Sequence, residues 1–241
     1  MLVSVGAVAV IALVSLGLWL SDGGNDLTLR GLSGSVLNFG GMATATPPST
    51  ERSLNFPASF PQEARTILEN QVKTLREHIV ANPQDATPWL DLAIQYKTIE
   101  DYEGAKEVWE YLDAAYPQDS IAAHNLGNLY HLFLKDYPKA EMYYREAIKR
   151  NPRQTLHYVG LHELYRYSYK QDTAAVVEVL EDGLSLMPDA IDLMATFGGY
   201  YREKGDKLNA VKYFTQARDE AKKRGNTALA SQFDNELATL H

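Results

Sequence analysis

The six histidines are the residues whose type and spacing come nearest to a chemical site. His124 and His131 share one face of a helical stretch, and His157 and His162 lie one repeat unit further on. At 1.5 Å of rise per residue, side chains seven positions apart are about 10.5 Å from each other along a helix. One metal ion holding each imidazole nitrogen at about 2.0–2.1 Å does not span that gap, so a metal site would have to be built between units. The chain has no cysteine, which excludes a disulfide framework and a thiolate metal site. It also lacks a glycine loop ending in Gly-Lys-Ser/Thr, a GxGxxG turn, an HExxH pair and a GxSxG elbow. No nucleophile, base or metal constellation converges, so the sequence assigns no catalytic residue and no cofactor.

The elements that position these side chains are repeated helix pairs. In 120–152, Leu126, Gly127 and Tyr130 share a face of a first amphipathic helix, and Ala140, Tyr144 and Ala147 share a face of a second. Between them Lys135-Asp136-Tyr137-Pro138 reads as a turn, with Pro138 in the first turn of the second helix, where its missing N–H costs nothing. The unit recurs. Tyrosines stand at 96, 130, 165 and 201 and prolines at 83, 117, 152 and 188, so both series step by 34, 35 and 36 residues. Ala105 to Pro117 and Ala140 to Pro152 are equally spaced, which places the first extra residue in the turn between the helices.

This pattern resembles the tetratricopeptide repeat, a 34-residue helix–turn–helix. The first unit supplies Trp89, Leu92, Ala93, Tyr96, Ala105, Trp109 and Leu112, closed by Pro117. The third has Tyr158, Leu161, His162, Tyr165, Val176, Leu180 and Gly183, with His162 in place of a small residue, so its helix contact is expected to be looser or differently spaced. The fourth has Met194, Phe197, Gly198, Tyr201, Ala210, Phe214 and Ala217, with Lys222 where the closing proline would stand. The resemblance implies an all-α solenoid of four units over 85–222 (about 85–118, 119–153, 154–189 and 190–222). Small residues (Ala93, Gly127, Gly198) would admit the facing helix, and aromatics (Tyr130, Tyr144, Phe214) would fill the space between units.

Both ends of the array read as capped. Pro61 opens a helix within 61–84 in which Ile67, Val72, Leu75 and Ile79 recur at helical spacing, the second half of a repeat without its first. Residues 223–241 hold a last helix capped by Asn226, with Leu229, Phe233 and Leu237 facing inward. Ahead of the array, residues 2–20 carry no charge and span about 28 Å as a helix, near the thickness of a bilayer's hydrocarbon core. With no basic start and no small-residue cleavage site close behind, 1–20 reads as an uncleaved single-pass membrane anchor, with the C-terminal domain outside the cytoplasm. Residues 21–60 are a flexible linker rich in Gly, Ser, Thr and Pro. Its apolar residues are either scattered along a disordered tether or docked on lipid or on the repeats.

The formal net charge is −8, and the part after residue 50 has 22 basic and 29 acidic residues. No basic stripe accompanies the tyrosines, which excludes nucleic acid as the main partner. By resemblance, the first helices line a groove. Its side chains are Leu90, Ile94 and Lys97; then His124, Asn128 and His131; then Val159, Glu163 and Arg166; then Ala195, Gly199 and Arg202. Tyr167 and Tyr200 are the tyrosines left over from packing. Family members that hold a chaperone's C-terminal carboxylate use a Lys–Asn pair in their first unit. Leu90 and Ile94 occupy those places here, so that clamp is not expected despite Asn128. The mixed lining suits an extended peptide or a helix of a partner protein. Two readings follow: a membrane-tethered, non-enzymatic interaction scaffold in envelope assembly or secretion, or a self-assembling subunit whose repeats pack on copies of the chain.

Overall fold

Four of the helices that follow a tight turn begin at a short polar side chain that closes their first turn. Asp101 accepts from the N–H of Gly104, Asp136 from Lys139, Asp206 from Asn209 and Asn226 from Leu229, satisfying donors that a helix start leaves unpaired. The residue before each cap is left-handed: Glu100 at φ 63°, Lys135 at 58°, Gly205 at 76° and Gly225 at 73°. The chain thus leaves one helix through a single left-handed residue and enters the next through its cap, which makes each turn short.

A computed structural model of the chain describes residues 45–171 and 173–240, all in the second of the two units, 1–40 and 41–241, into which the chain divides. The apolar stretch 2–20 and the linker as far as residue 44 lie outside the described residues. Among the described residues there are ten helices and no strand, and no helix is long and apolar enough to cross a membrane. Helix α1 (Gln62–Ala81) comes first. Four hairpins follow: α2 (Ala86–Thr98) with α3 (Tyr102–Ala115), α4 (Ile121–Leu129) with α5 (Tyr137–Arg150), α6 (Thr155–Leu164) with α7 (Ala175–Leu186), and α8 (Ile191–Glu203) with α9 (Lys207–Lys223). Helix α10 (Thr227–Ala238) closes the array.

The first helices of the second and third units run on into π-helical turns, Tyr130–Leu134 and Tyr165–Tyr169. Nine residues carry the chain from Tyr96 to Ala105 and from Tyr201 to Ala210, ten from Tyr130 to Ala140, and eleven from Tyr165 to Val176. The π turns occur in the two units with the longer interval. A widened last turn of the first helix therefore takes up one extra residue in each, a correction to the expected place of the first one in the loop, while the further residue of the third unit falls in its longer connection, 170–174 against 135–136. Register is restored beyond them, since Ala105, Ala140, Val176 and Ala210 are all fully buried.

Packing follows the small-and-aromatic pattern. A β-carbon added at Gly127 would lie 2.8 Å from the Tyr144 ring, and one at Gly160 in the next unit 2.6 Å from the same ring. At Gly198 it would lie 2.6 Å from Phe214, whereas at the adjacent Gly199 it would meet nothing within 4 Å. In the third unit His162 is fully buried and its Nδ1 lies 2.8 Å from the Val176 carbonyl, which replaces the small-residue contact with a polar one. Without a proline at position 222, α9 continues for 17 residues, against 14 for α3 and α5. Phe233 and Leu237 of α10 cover Phe214.

Two expectations about the leading segment change. In α1 the inward residues are Leu68, Val72 and Ile79, and Ile67 is exposed. At about 100° per residue, Ile67 stands about 140° away from Val72 around the helix, while Leu68 stands only about 40° away. Residues 45–60, read as linker, have no regular structure yet pack on the first unit. The Arg52 guanidinium donates to Asp101 at 2.5 and 2.8 Å and to Glu107 at 3.0 Å, and the Arg52 carbonyl accepts from Arg76.

Urea unfolding checks the packing account: Gly198→Ala is expected to destabilise by about 1–3 kcal/mol through overpacking against Phe214. Gly199→Ala, one residue on, is expected to stabilise by about 0.5–1 kcal/mol through helix propensity alone. For the docked segment, Arg52→Ala is expected to open residues 45–60 to limited proteolysis while leaving the helical circular dichroism intact.

Candidate functional site

Side chains that the hairpins leave incompletely covered collect on the first helices. Leu90, Ile94 and Lys97 on α2, Asn128 on α4, Val159 and Glu163 on α6, Arg166 in the π turn that follows it, and Ala195 and Gly199 on α8 are half-buried, and Tyr167 and Arg202 are exposed. Helix α4 packs on α6, and α6 on α8. Arg166 forms an ion pair with Glu203 of the next unit, and its guanidinium lies 4.7 Å from the Tyr167 ring and 5.4 Å from the Tyr200 ring. Arg202 pairs with Glu236 of α10, so it serves the closing helix as well as the groove edge. Two clefts of about 510 and 550 Å³ lie elsewhere, toward the second helices, and none of these groove residues lines either one.

His124 and His131, expected along the groove, are instead buried between units. The His124 and His157 rings are 5.1 Å apart, with their Nδ1 atoms at 3.3 Å, and His131 Nε2 lies 3.0 Å from the Ser168 hydroxyl. The reason is that successive first helices lie side by side. Residues 33 positions apart, about one repeat, meet across the seam, whereas residues seven apart on one helix do not. The signal was present in the spacing of His124 and His157. Gly160 carried no such signal, because it lies outside the small-residue positions of its own unit.

Burial favours the neutral form of these rings, and the Nε2 atoms of His157 and His162 are buried without a hydrogen-bond partner. The Val176 carbonyl only accepts, so His162 carries its proton on Nδ1. Between His124 and His157 one Nδ1 must donate and the other accept, which two imidazolium rings do not do. Burial depresses the pKa of His124 to about 3, with His157 and Lys97 adding to the effect, and that of His157 to about 4. Burial likewise holds His131 and His162 at about 4, Lys135 adding to it for His131; the Val176 bond opposes it at His162 and Arg166 adds to it. Among the described residues no group of three His, Cys, Asp or Glu side chains is placed to hold a metal ion.

Two groove charges are desolvated as well. Burial lowers the pKa of Lys97, whose ammonium lies 5.9 Å from the centre of the Trp109 ring and, among the described residues, has no carboxylate in ion-pair range. Burial raises the pKa of Glu163, and the nearby Arg166 only partly opposes it.

Residues 122–154, which span the hairpin α4–α5 and hold His124 and His131 on one side of this seam, match the tetratricopeptide repeat family model. The array has the fold of a tetratricopeptide-repeat solenoid. Solved structures share this fold: MamA at 21% identity, covering 68% of this chain and 94% of that one with a TM-score of 0.51, and a thermophilic tetratricopeptide-repeat protein of Thermus thermophilus at 18% identity, covering 73% and 93% with a TM-score of 0.54. At these identities the likeness is one of fold. No curated protein sequence matches the chain.

The buried histidines of the seam make the array acid-sensitive. An unfolded histidine titrates near 6.5, and these four do so only near 3–4 when folded. Between those values the unfolded chain binds more protons, so stability is full above about pH 6.5 and is lost as pH falls toward about 4. The urea midpoint is expected to drop from about pH 7 to about pH 5, by up to about 1–2 kcal/mol for each histidine. The slope is expected to flatten in a His124→Gln, His157→Gln double variant.

Proposed function

We propose that the chain is a membrane-tethered interaction scaffold whose groove, along α2, α4, α6 and α8, receives an extended peptide or a helix of a partner protein. The observation that carries this reading is the half-covered lining itself. Leu90, Ile94, Val159 and Ala195 are apolar side chains that the core does not finish burying, and Gly199 faces open space. A surface of this kind, held on rigid stacked hairpins, suits a partner that supplies the missing apolar contact. The uncharged stretch 2–20 supports a membrane anchor, with the repeats outside the cytoplasm and a role in envelope assembly or secretion. The docked Arg52 supports a tether that ends at the first unit.

Crosslinking in intact cells followed by mass spectrometry tests this, comparing the full chain with an Ile94→Glu, Gly199→Trp variant. The substitutions enter the groove without entering the core. One set of crosslinked proteins is expected to disappear in the variant. If crosslinks between copies of this chain alone are found, and persist in both, the repeats are a self-assembling subunit and the scaffold reading is lost.

A further inference from the structure

Lys97 and Glu163 are the two groove charges for which the fold provides no full counterpart. The Lys97 ammonium is flanked by the Trp109 ring and by the neutral His124, and among the described residues no carboxylate reaches it. Glu163 has Arg166 nearby, but that guanidinium is ion-paired to Glu203 and lies against Tyr167 and Tyr200. The groove's other cation, Arg202, is taken by Glu236. A half-buried charge without a counter-charge is unfavourable in the free protein, and a partner that supplies one removes the penalty. The two charges differ in sign and lie two units apart, so the groove has a positive and a negative end.

Building on the groove reading above, we propose that its occupant is a peptide segment with a carboxylate that pairs with Lys97 and a cationic side chain that pairs with Glu163, so that charge order fixes the direction in which it lies. Neighbouring helices pack about 8–10 Å apart, which puts α2 and α6 about 16–20 Å from each other. An extended peptide covers that in about five or six residues, and a helical one in about 11–13. The segment's remaining contacts are apolar, against Ile94 and Val159. Direction and spacing are therefore read by charge, and occupancy by apolar burial.

The test uses the full chain in detergent micelles and fluorescein-labelled peptides of about 15 residues, built on a Ser/Leu background with one Asp and one Arg at separations from about two to about thirteen, in both orders. Fluorescence anisotropy is expected to show one preferred order, at least about tenfold tighter than its reverse, and one preferred separation near about five or six or near about 11–13. Lys97→Met is expected to lose about tenfold for the Asp peptide and nothing for its Asn counterpart. The exchange variant Lys97→Glu, Glu163→Lys is expected to prefer the opposite order, which separates charge reading from damage to the fold. Binding that ignores order and separation overturns the charge assignment and leaves the groove reading standing. So does the absence of peptide binding when groove-dependent crosslinks persist in cells. Loss of both overturns the two together.

Discussion

Tyr144 is the side chain on which the stacking of the second and third units depends. Its ring stands on α5 and fits against two backbones at once, at Gly127 in its own hairpin and at Gly160 in the next, while the His124 ring lies 5.5 Å away. One buried aromatic thus fixes the spacing within a unit and the step between units. A β-carbon at either glycine would enter its ring, and a smaller side chain in its place would leave both backbones without contact. Phe214 plays the first part in the fourth unit, against Gly198, but there the second contact is with Phe233 of the closing helix, where the stack ends.

Constant packing is maintained although the repeat length is not. The second and third units carry extra residues between their marker tyrosine and the next small or β-branched core residue. A rigid α-helix continued through them would turn the buried face away by about 100° for each one. Widening the last turn to π geometry takes up one added residue in each unit, and the longer connection 170–174 takes up the other in the third, so Ala140 and Val176 reach the core positions that Ala105 and Ala210 hold in the shorter units. The same turns carry Leu132, Phe133, Tyr167 and Tyr169 to the surface, so accommodation of the insertions also shapes the outside of the array.

The helices, their order and most of the core were legible because periodicity is a property of neighbours along the chain. Trp89, Leu92, Tyr96, Trp109 and Leu112 mark a first unit whether or not the fold is known. What was not legible depends on neighbours across a seam. His124 and His131 read as groove residues because a family register says which face a position lies on, but not how closely the adjacent helix approaches it. Ile67 and Leu68 are both apolar, and only a strict rotation count from Val72 separates the inward one from the outward one. Arg52 gave no local sign of its partners, since Asp101 lies 49 residues away in sequence and Glu107 lies 55. For the groove, register names the positions on the first helices that face away from the hairpin core. It does not give their electrostatic state, because desolvation depends on the whole surrounding volume.

The seam and the groove are coupled through Lys97. It stands close enough to His124 to oppose a second positive charge there, and burial weighs on both groups in the same direction. A neutral His124, tied by one hydrogen bond to His157, is therefore the state compatible with a charged Lys97 facing the groove. Had His124 been an acidic residue, it would have pulled Lys97 into an internal ion pair and left no positive end for a partner. Had it been apolar, the seam would lose its ring-to-ring hydrogen bond and leave the Nδ1 of His157, like its Nε2, buried without a partner. Imidazole meets both demands at neutral pH, because it satisfies a buried polar contact without contributing charge. This links the way consecutive repeats pack to the electrostatic character of the surface they offer.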